Sequence, residues 1–226
     1  MIQTVISILL TILLPGTISS YKSEIINDGP GNLNTAAGVN YLNSFEKELI
    51  FEMNKLRTDP SGYAEKYIAP LAKDYKGKIF YYPGDKPLKT KEGVRALNEC
   101  VRDLKRARPA QILYPSAGLS KAARDHVKDQ SRTGATGHIG SDHSNMKNRI
   151  ERYGTWNFRI GENIAYGGIS PRQVIVYLLI DDGVNGRGHR ANMLNPVFKI
   201  TGIASGRHPG YGSMYVMDFA ASFVEK

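Results

Sequence analysis

The sequence predicts an α/β (α+β) domain: a small antiparallel sheet covered by helices on both faces. Three observations carry this expectation. Helical periodicity dominates the stretch from Asn43 to Ser131, strand composition dominates the C-terminal third, and one further helical segment lies among those strands. At 226 residues, with 41% hydrophobic and 23% charged residues, the chain suits one soluble globular domain with a full core.

The first twenty residues carry no charged side chain, and Pro15-Gly16 interrupts an apolar run from Val5 to Leu14. That run is about ten residues long, whereas a membrane span needs roughly twenty. With Thr17 and Ser19, or Ile18 and Ser20, as small residues before a cut, residues 1–20 are expected to be a secretory signal peptide, and the protein to be secreted. An uncleaved, buried N-terminal helix is the alternative. No later stretch approaches membrane length. Residues 21–42, with Asp28-Gly29-Pro30-Gly31 and little periodicity, are expected to form a flexible leader, so that the domain spans 43–226.

Cys100 is the single cysteine, which rules out an internal disulfide. It shares a helical face with Leu97, Val101 and Leu104 and is expected to be a buried structural thiol. The formal charge of +9 favours acidic surfaces, anionic lipid or polyanions without selecting among them. No nucleic-acid motif accompanies it, so no nucleic-acid partner is expected.

In chain order, Asn43 and Glu46 make a capping-box pattern before a helix with Phe45, Leu49, Met53 and Leu56 on one face, stopping before Asp59-Pro60. Pro60 opens a second short helix containing Tyr63, Tyr67 and Leu71. Asp74 to Pro87 is read as loop, with Tyr81-Tyr82 as a packed anchor. Lys91 to Arg108 is an amphipathic helix whose second face, with Arg95, Arg102, Lys105 and Arg106, is expected to be solvated. A helix from Leu119 to Ser131 places His126 in its apolar stripe, where packing and hydrogen bonding are expected rather than metal ligation. Ser144 is expected to cap a short helix with Met146 and Ile150, ended by Gly154. Phe158 to Tyr166 is a strand. Ser170-Pro171 starts a helix burying Val174, Tyr177 and Leu178 and reaching Asp181 on the same face. Lys199–Ser205 and Met214–Phe223 are strands joined by a turn over Pro209–Ser213.

The chemistry concentrates between His138 and His189. Three histidines, His138, His143 and His189, share this stretch with Glu162, Asp181 and Asp182, among glycines that let the backbone turn sharply. Neutral imidazoles are common ligands for zinc-like ions, and a carboxylate beside one either orients it or joins the coordination. The spacings form no compact ligand motif. Glu162 accepting from turn amides and His189 capping a short helix are equally physical readings. Ser141-Asp142-His143 has the residue types of a hydrolase triad but no nucleophile elbow, Cys100 lacks an activating setting, and Gly186-Arg187-Gly188 lacks a phosphate-loop Lys-Ser/Thr.

Taken in order, Asn54-Lys55-Leu56-Arg57, the Leu119–His126 helix, Gly137-His138-Ile139-Gly140-Ser141-Asp142, Arg149-Ile150, Gly161-Glu162-Asn163-Ile164-Ala165, Gly188-His189-Arg190-Ala191-Asn192 and Gly202-Ile203-Ala204 resemble the CAP superfamily of cysteine-rich secretory, antigen 5 and pathogenesis-related 1 proteins. The likeness is to its disulfide-poor bacterial and protist-type branch and spans most of Asn43 to Phe223. It implies a three-layer α-β-α sandwich with a cleft holding two histidines and two acids. By position these are His138, Glu162 and His189, with Asp181 or Asp182 where relatives carry a Glu after a helix Trp. His143 stands where related chains often have Gly and is an accessory candidate. The resemblance implies a divalent ion such as zinc on His138 and His189, and sterol, fatty-acid, surface or protein binding without catalysis. A metal-assisted hydrolase with Glu162 as base is the alternative.

Overall fold

The computed structural model describes residues 8–13 and 32–226. The expected cleavage positions and the first part of the expected leader lie outside those residues. The described strands and α-helices are β1 (Ile8–Leu13), α1 (Ser44–Thr58), α2 (Pro60–Tyr63), β2 (Tyr75–Lys76), β3 (Ile79–Phe80), β4 (Leu88–Lys89), α3 (Val94–Arg106), β5 (Tyr114–Pro115), α4 (Ala117–Thr133), α5 (Met146–Glu151), β6 (Gly154–Tyr166), α6 (Pro171–Ile180), α7 (Gly188–Leu194), β7 (Ile200–His208) and β8 (Gly212–Glu225), with a π-helix at Ala64–Ile68 and 3-10 turns at Ala69–Asp74 and Asn185–Arg187.

The central sheet has the order β1-β6-β8-β7-β5 and is antiparallel except for the short β5, which runs parallel to β7. Side-chain alternation divides it into two faces. On one face, Ile160 and Ala220 pack with Leu119, Ala122, Met146 and Ile150 of α4 and α5, while Ile164, Val216 and Ala204 pack with Ala123 and Val127. On the other, Ala165, Met217, Phe219 and Ile203 meet Leu49, Met53, Leu97, Cys100 and Leu179 of α1, α3 and α6. The three-layer arrangement is therefore present, with a separate three-stranded sheet of order β2-β3-β4 at its side.

Local chemistry explains most boundaries. Asn43 and Glu46 form the capping box at the start of α1. Ser170 caps α6 by accepting from Gln173, with Pro171 in its first turn. Arg57, fully buried, donates to the carbonyls of Gln111, Met193, Asn195 and Phe198 at 2.7–3.0 Å. It thereby satisfies the chain ends around α7 without a carboxylate, and burial lowers its pKa to about 10.

Several expectations need correction. Residues 33–42, placed in the flexible leader, are packed: Ala36 and Leu42 enter the core, and Asn54 donates to the Leu33 carbonyl at 2.9 Å. Their apolar residues follow neither the helical nor the strand period, so the pattern suggested a tail. The Ile8–Leu13 run is an edge strand on β6 rather than the buried helix named as the alternative reading; in line with expectation, no helix among the described residues is long and apolar enough to cross a membrane. The Asp74–Pro87 loop contains β2 and β3, where Tyr82 and Tyr177 pack around Phe80, while Tyr81 is exposed. Asn145, not Ser144, caps α5, in a reciprocal pair with Asn148. Finally, β6 begins at Gly154 and carries an irregularity at Asn157/Ile160 with Phe158 at φ 71°.

The closest backbone approach between layers falls at Gly202 of β7, where an added Cβ would lie 2.2 Å from the backbone of Leu119 and Ser120. Neither partner is a flexible side chain. Gly202→Ala should therefore destabilise the fold by about 1–3 kcal/mol, read as a lowered urea midpoint at unchanged slope.

Candidate functional site

β6 organises the polar centre because consecutive residues point to opposite faces of the sheet. Glu162 shares the α4/α5 face with Ile160 and Ile164, whereas Asn163 faces the other layer. Glu162 is completely buried and accepts on both oxygens, from His138 Nδ1 at 2.7 Å and from Arg149 at 2.8 Å. Arg149 also donates to the carbonyls of His138 and Ser144, at 3.1 and 3.0 Å, so one guanidinium fixes both the acid and the loop that carries the histidine. Burial by itself would raise the Glu162 pKa. The His138 hydrogen bond and the Arg149 charge outweigh it and hold this carboxyl below the usual range. His138 Nδ1 thus faces an ionised acceptor and carries the hydrogen, while its buried Nε2 has no hydrogen-bond partner among the described residues.

Behind this unit, His126 Nε2 and Gln130 Nε2 meet the Gly137 carbonyl at 2.7 and 2.6 Å, and Tyr166 joins Gln130 to the Gly137 amide. Because a carbonyl only accepts, His126 Nε2 is the protonated nitrogen. Burial lowers the His126 pKa and keeps the ring neutral. His126 is a packing and hydrogen-bonding residue, as its place in the apolar stripe predicts.

Asp218 was not singled out in the sequence. It lies directly across from Glu162 in the β6–β8 ladder, is buried, and finds no donor for either carboxyl oxygen. Burial first, and then the neighbouring Glu162 charge, push its pKa well above the usual value. It stays protonated beside the ionised Glu162, so the two acids together carry one negative charge. Its only sequence signal is the alternation Met214, Val216, Asp218, Ala220, which places an acid on an otherwise apolar face.

The second histidine sits on the opposite face. Asp181 ends α6 in the left-handed region, at φ 54°, and its carboxylate accepts from His189 Nδ1 at 2.7 Å and from the His189 amide at 3.0 Å. Asn163 donates to the His189 carbonyl and accepts from Asn192, so residues 162 and 163 of β6 each address one histidine. Arg190 and Arg187 donate to the last carbonyls of α6, those of Leu179 and Asp181, at 2.7 Å. Arg187 is held in turn by Glu92 and Glu99, whose hydrogen bonds from it keep both carboxyls near a pKa of about 2. These charges line an open groove of about 770 Å³ beside α7 and largely neutralise one another.

The remaining candidates are placed elsewhere. Asp182 accepts from the amides of Lys91 and Glu92 at 2.5 and 2.9 Å, which makes it a scaffold for the start of α3, so Asp181 is the acid that pairs with His189. His143 is exposed on an outer turn at φ 63° and joins neither histidine–acid pair. Ser141 bonds Asp129, and Asp142 pairs with Arg152, so the triad-like residue types diverge. Cys100 is buried in the core, which pushes its thiol up to about 12. Among the described residues, no group of three or more His, Cys, Asp and Glu side chains is placed to hold a metal ion.

A family model described as the cysteine-rich secretory protein family, CAP, matches residues 51–219. The chain belongs to that family. The match includes both histidine–acid pairs of this CAP domain, and Asp218. Among solved structures, the chain is similar to an extracellular protein containing an SCP domain from Bacillus anthracis, at 22% identity and TM-score 0.40 over 55% of this chain and 37% of that one. An outer surface protein from Borrelia burgdorferi matches at 18% identity and TM-score 0.41, over 49% of this chain and 78% of its own. A cysteine-rich secretory protein from Staphylococcus aureus matches at 14% identity and TM-score 0.37, over 61% and 42%. The CAP chain thus spans well under half of the Bacillus and Staphylococcus chains. No curated protein matches it.

Two outcomes test the electrostatics. Glu162→Gln leaves Arg149 buried without its counter-charge and should cost about 3–5 kcal/mol in denaturant unfolding. Asp218 keeps its proton in the folded state at pH values where the unfolded carboxyl, of pKa about 3.9, has lost it, so this group's contribution makes stability fall as pH rises from about 4 towards the folded pKa. Asp218→Asn should remove that slope in thermal melts across pH 4–8. An unchanged slope would show that Asp218 is ionised in the fold.

Proposed function

We propose that this CAP domain is a secreted, non-enzymatic binding module, whose partner is a sterol or fatty acid, an anionic surface or a protein. The observation that carries the reading is the complete engagement of Glu162: one oxygen is taken by His138 and the other by Arg149. An acid committed in this way, and held ionised by a buried cation, is a poor proton acceptor for a reacting water. The single thiol is inert in the core, Ser141 bonds Asp129, Asp142 pairs with Arg152, and His143 is exposed. The net charge of +9 suits an acidic partner surface.

A divalent ion such as zinc remains compatible with this cleft. The buried Nε2 of His138 has no partner, and its ring is oriented by a carboxylate on Nδ1, as metal-binding imidazoles usually are. His138 would be the ligand there, with Glu162 orienting its ring; His189, held by Asp181 on the opposite face of the sheet, forms a separate pair. Bound there, it would supply Lewis acidity, which is the basis of the hydrolase alternative. That alternative then requires a base other than Glu162.

Calorimetric zinc titration of wild type beside the His138→Ala/His189→Ala double variant separates these readings. Saturable binding lost in the variant, with no zinc-dependent hydrolysis of casein or ester substrates, is the expected result. Hydrolysis that disappears with the histidines would overturn the non-enzymatic reading. Mass spectrometry of the released protein should find an N-terminus beyond Leu13, since retention of residues 1–20 would contradict secretory processing.

A further inference from the structure

In the sheet order, β1 is the strand outside β6, and its six residues pair antiparallel with Arg159–Ile164. Without β1, β6 is the edge of the sheet, with a row of backbone donors and acceptors open along that side. Natural edges are usually blunted by Pro, Lys, a bulge or an outward charge. Arg159, charged and inside the irregularity between Asn157 and Ile160, blunts one end of this edge, but Ile160–Ile164 contains no Pro, no Lys and no further irregularity. The charge of Glu162 is spent on His138 and Arg149. From Ile160 to Ile164 this is an unblunted ladder of antiparallel geometry, and the chain already fills it with an extended segment of sequence Ile-Leu-Leu-Thr-Ile-Leu.

The register sharpens the point. Leu10 stands opposite Glu162 and Leu9 opposite Asn163, the two residues that address His138 and His189 from opposite faces. A strand on this edge therefore runs directly past both histidine–acid pairs. We propose that the β6 edge is a strand-acceptor site: an extended apolar segment of a protein partner adds antiparallel to Arg159–Ile164, where Ile8–Leu13 lies. Main-chain hydrogen bonds supply its affinity, as in other strand additions, and the apolar sequence that fills the edge in cis defines the class of segment it takes. This deepens the binding-module reading and rests on secretory processing only for how the edge becomes free.

The test uses the chain as expressing cells release it, with its N-terminus read by mass spectrometry. The probe is a fluorescein-labelled peptide, Ile-Leu-Leu-Thr-Ile-Leu flanked by lysines. Two further versions carry N-methyl groups on alternate amides, one in each frame, so that one loses the donors facing β6 while keeping its side chains. Saturable binding, a tenfold or greater loss in one frame only, and slowed hydrogen exchange at Arg159–Ile164 are expected. Equal binding of all three peptides with displacement by oleate would indicate a lipid-type apolar site and overturn the proposal, as would no binding to a chain that begins beyond Leu13. If residues 8–13 are retained, the processing reading fails on its own. Leu10→Pro, which breaks the β1 ladder, should then bind the parent peptide while wild type does not, and no binding by that variant overturns the acceptor site.

Discussion

A fully buried carboxylate, Glu162, is the constraint on which the arrangement of this domain's polar centre depends. An ion on the central sheet is tolerable only when its counter-charge and hydrogen bonds are built around it. Arg149 supplies the charge from α5, and His138 supplies a ring donor from the preceding loop. Arg149 also grips the loop backbone, so the short helix, the glycine-rich loop and β6 form one electrostatic unit. Asp218, facing the same point from β8, adapts by staying protonated.

The opposite face solves a different problem by similar means. A helix that ends inside the molecule leaves carbonyls without partners. Arg187 and Arg190 satisfy those at the end of α6, and the left-handed turn at Asp181 aims its carboxylate at His189. The two histidines are therefore both held through Nδ1 by carboxylates, one from a strand and one from a helix end. Such rigid orientation costs stability unless each group is matched.

The same strand sets the boundary of the sheet. Each residue of β6 from Ile160 to Ala165 has a role on one face or the other: packing, the Glu162 cluster, or the Asn163 contact to α7. Its backbone toward β1 has no such assignment beyond the ladder itself. Polar side chains occupied inward and a main chain engaged outward only through the β1 ladder are the physical setting in which strand addition operates.

The sequence by itself determined the parts governed by local chemistry and periodicity: the capping box of α1, the Ser170-Pro171 start of α6, the β7–β8 hairpin, the helix layers, and the ordered motifs that carry the family. It also singled out His138, Glu162 and His189 as candidates, since glycine-flanked polar residues at element ends stand out against an apolar pattern. Only the tertiary structure decided between Asp181 and Asp182. Adjacent carboxylates are indistinguishable in composition, but a left-handed turn sends one to His189 and the other to the amides before α3. It alone brought Asp218 beside Glu162, because cross-strand pairing joins residues far apart in the chain. It also drew Ala36 and Leu42 into the core, where apolar residues without a period carry no sequence signal, yet fill space that neighbouring elements leave open.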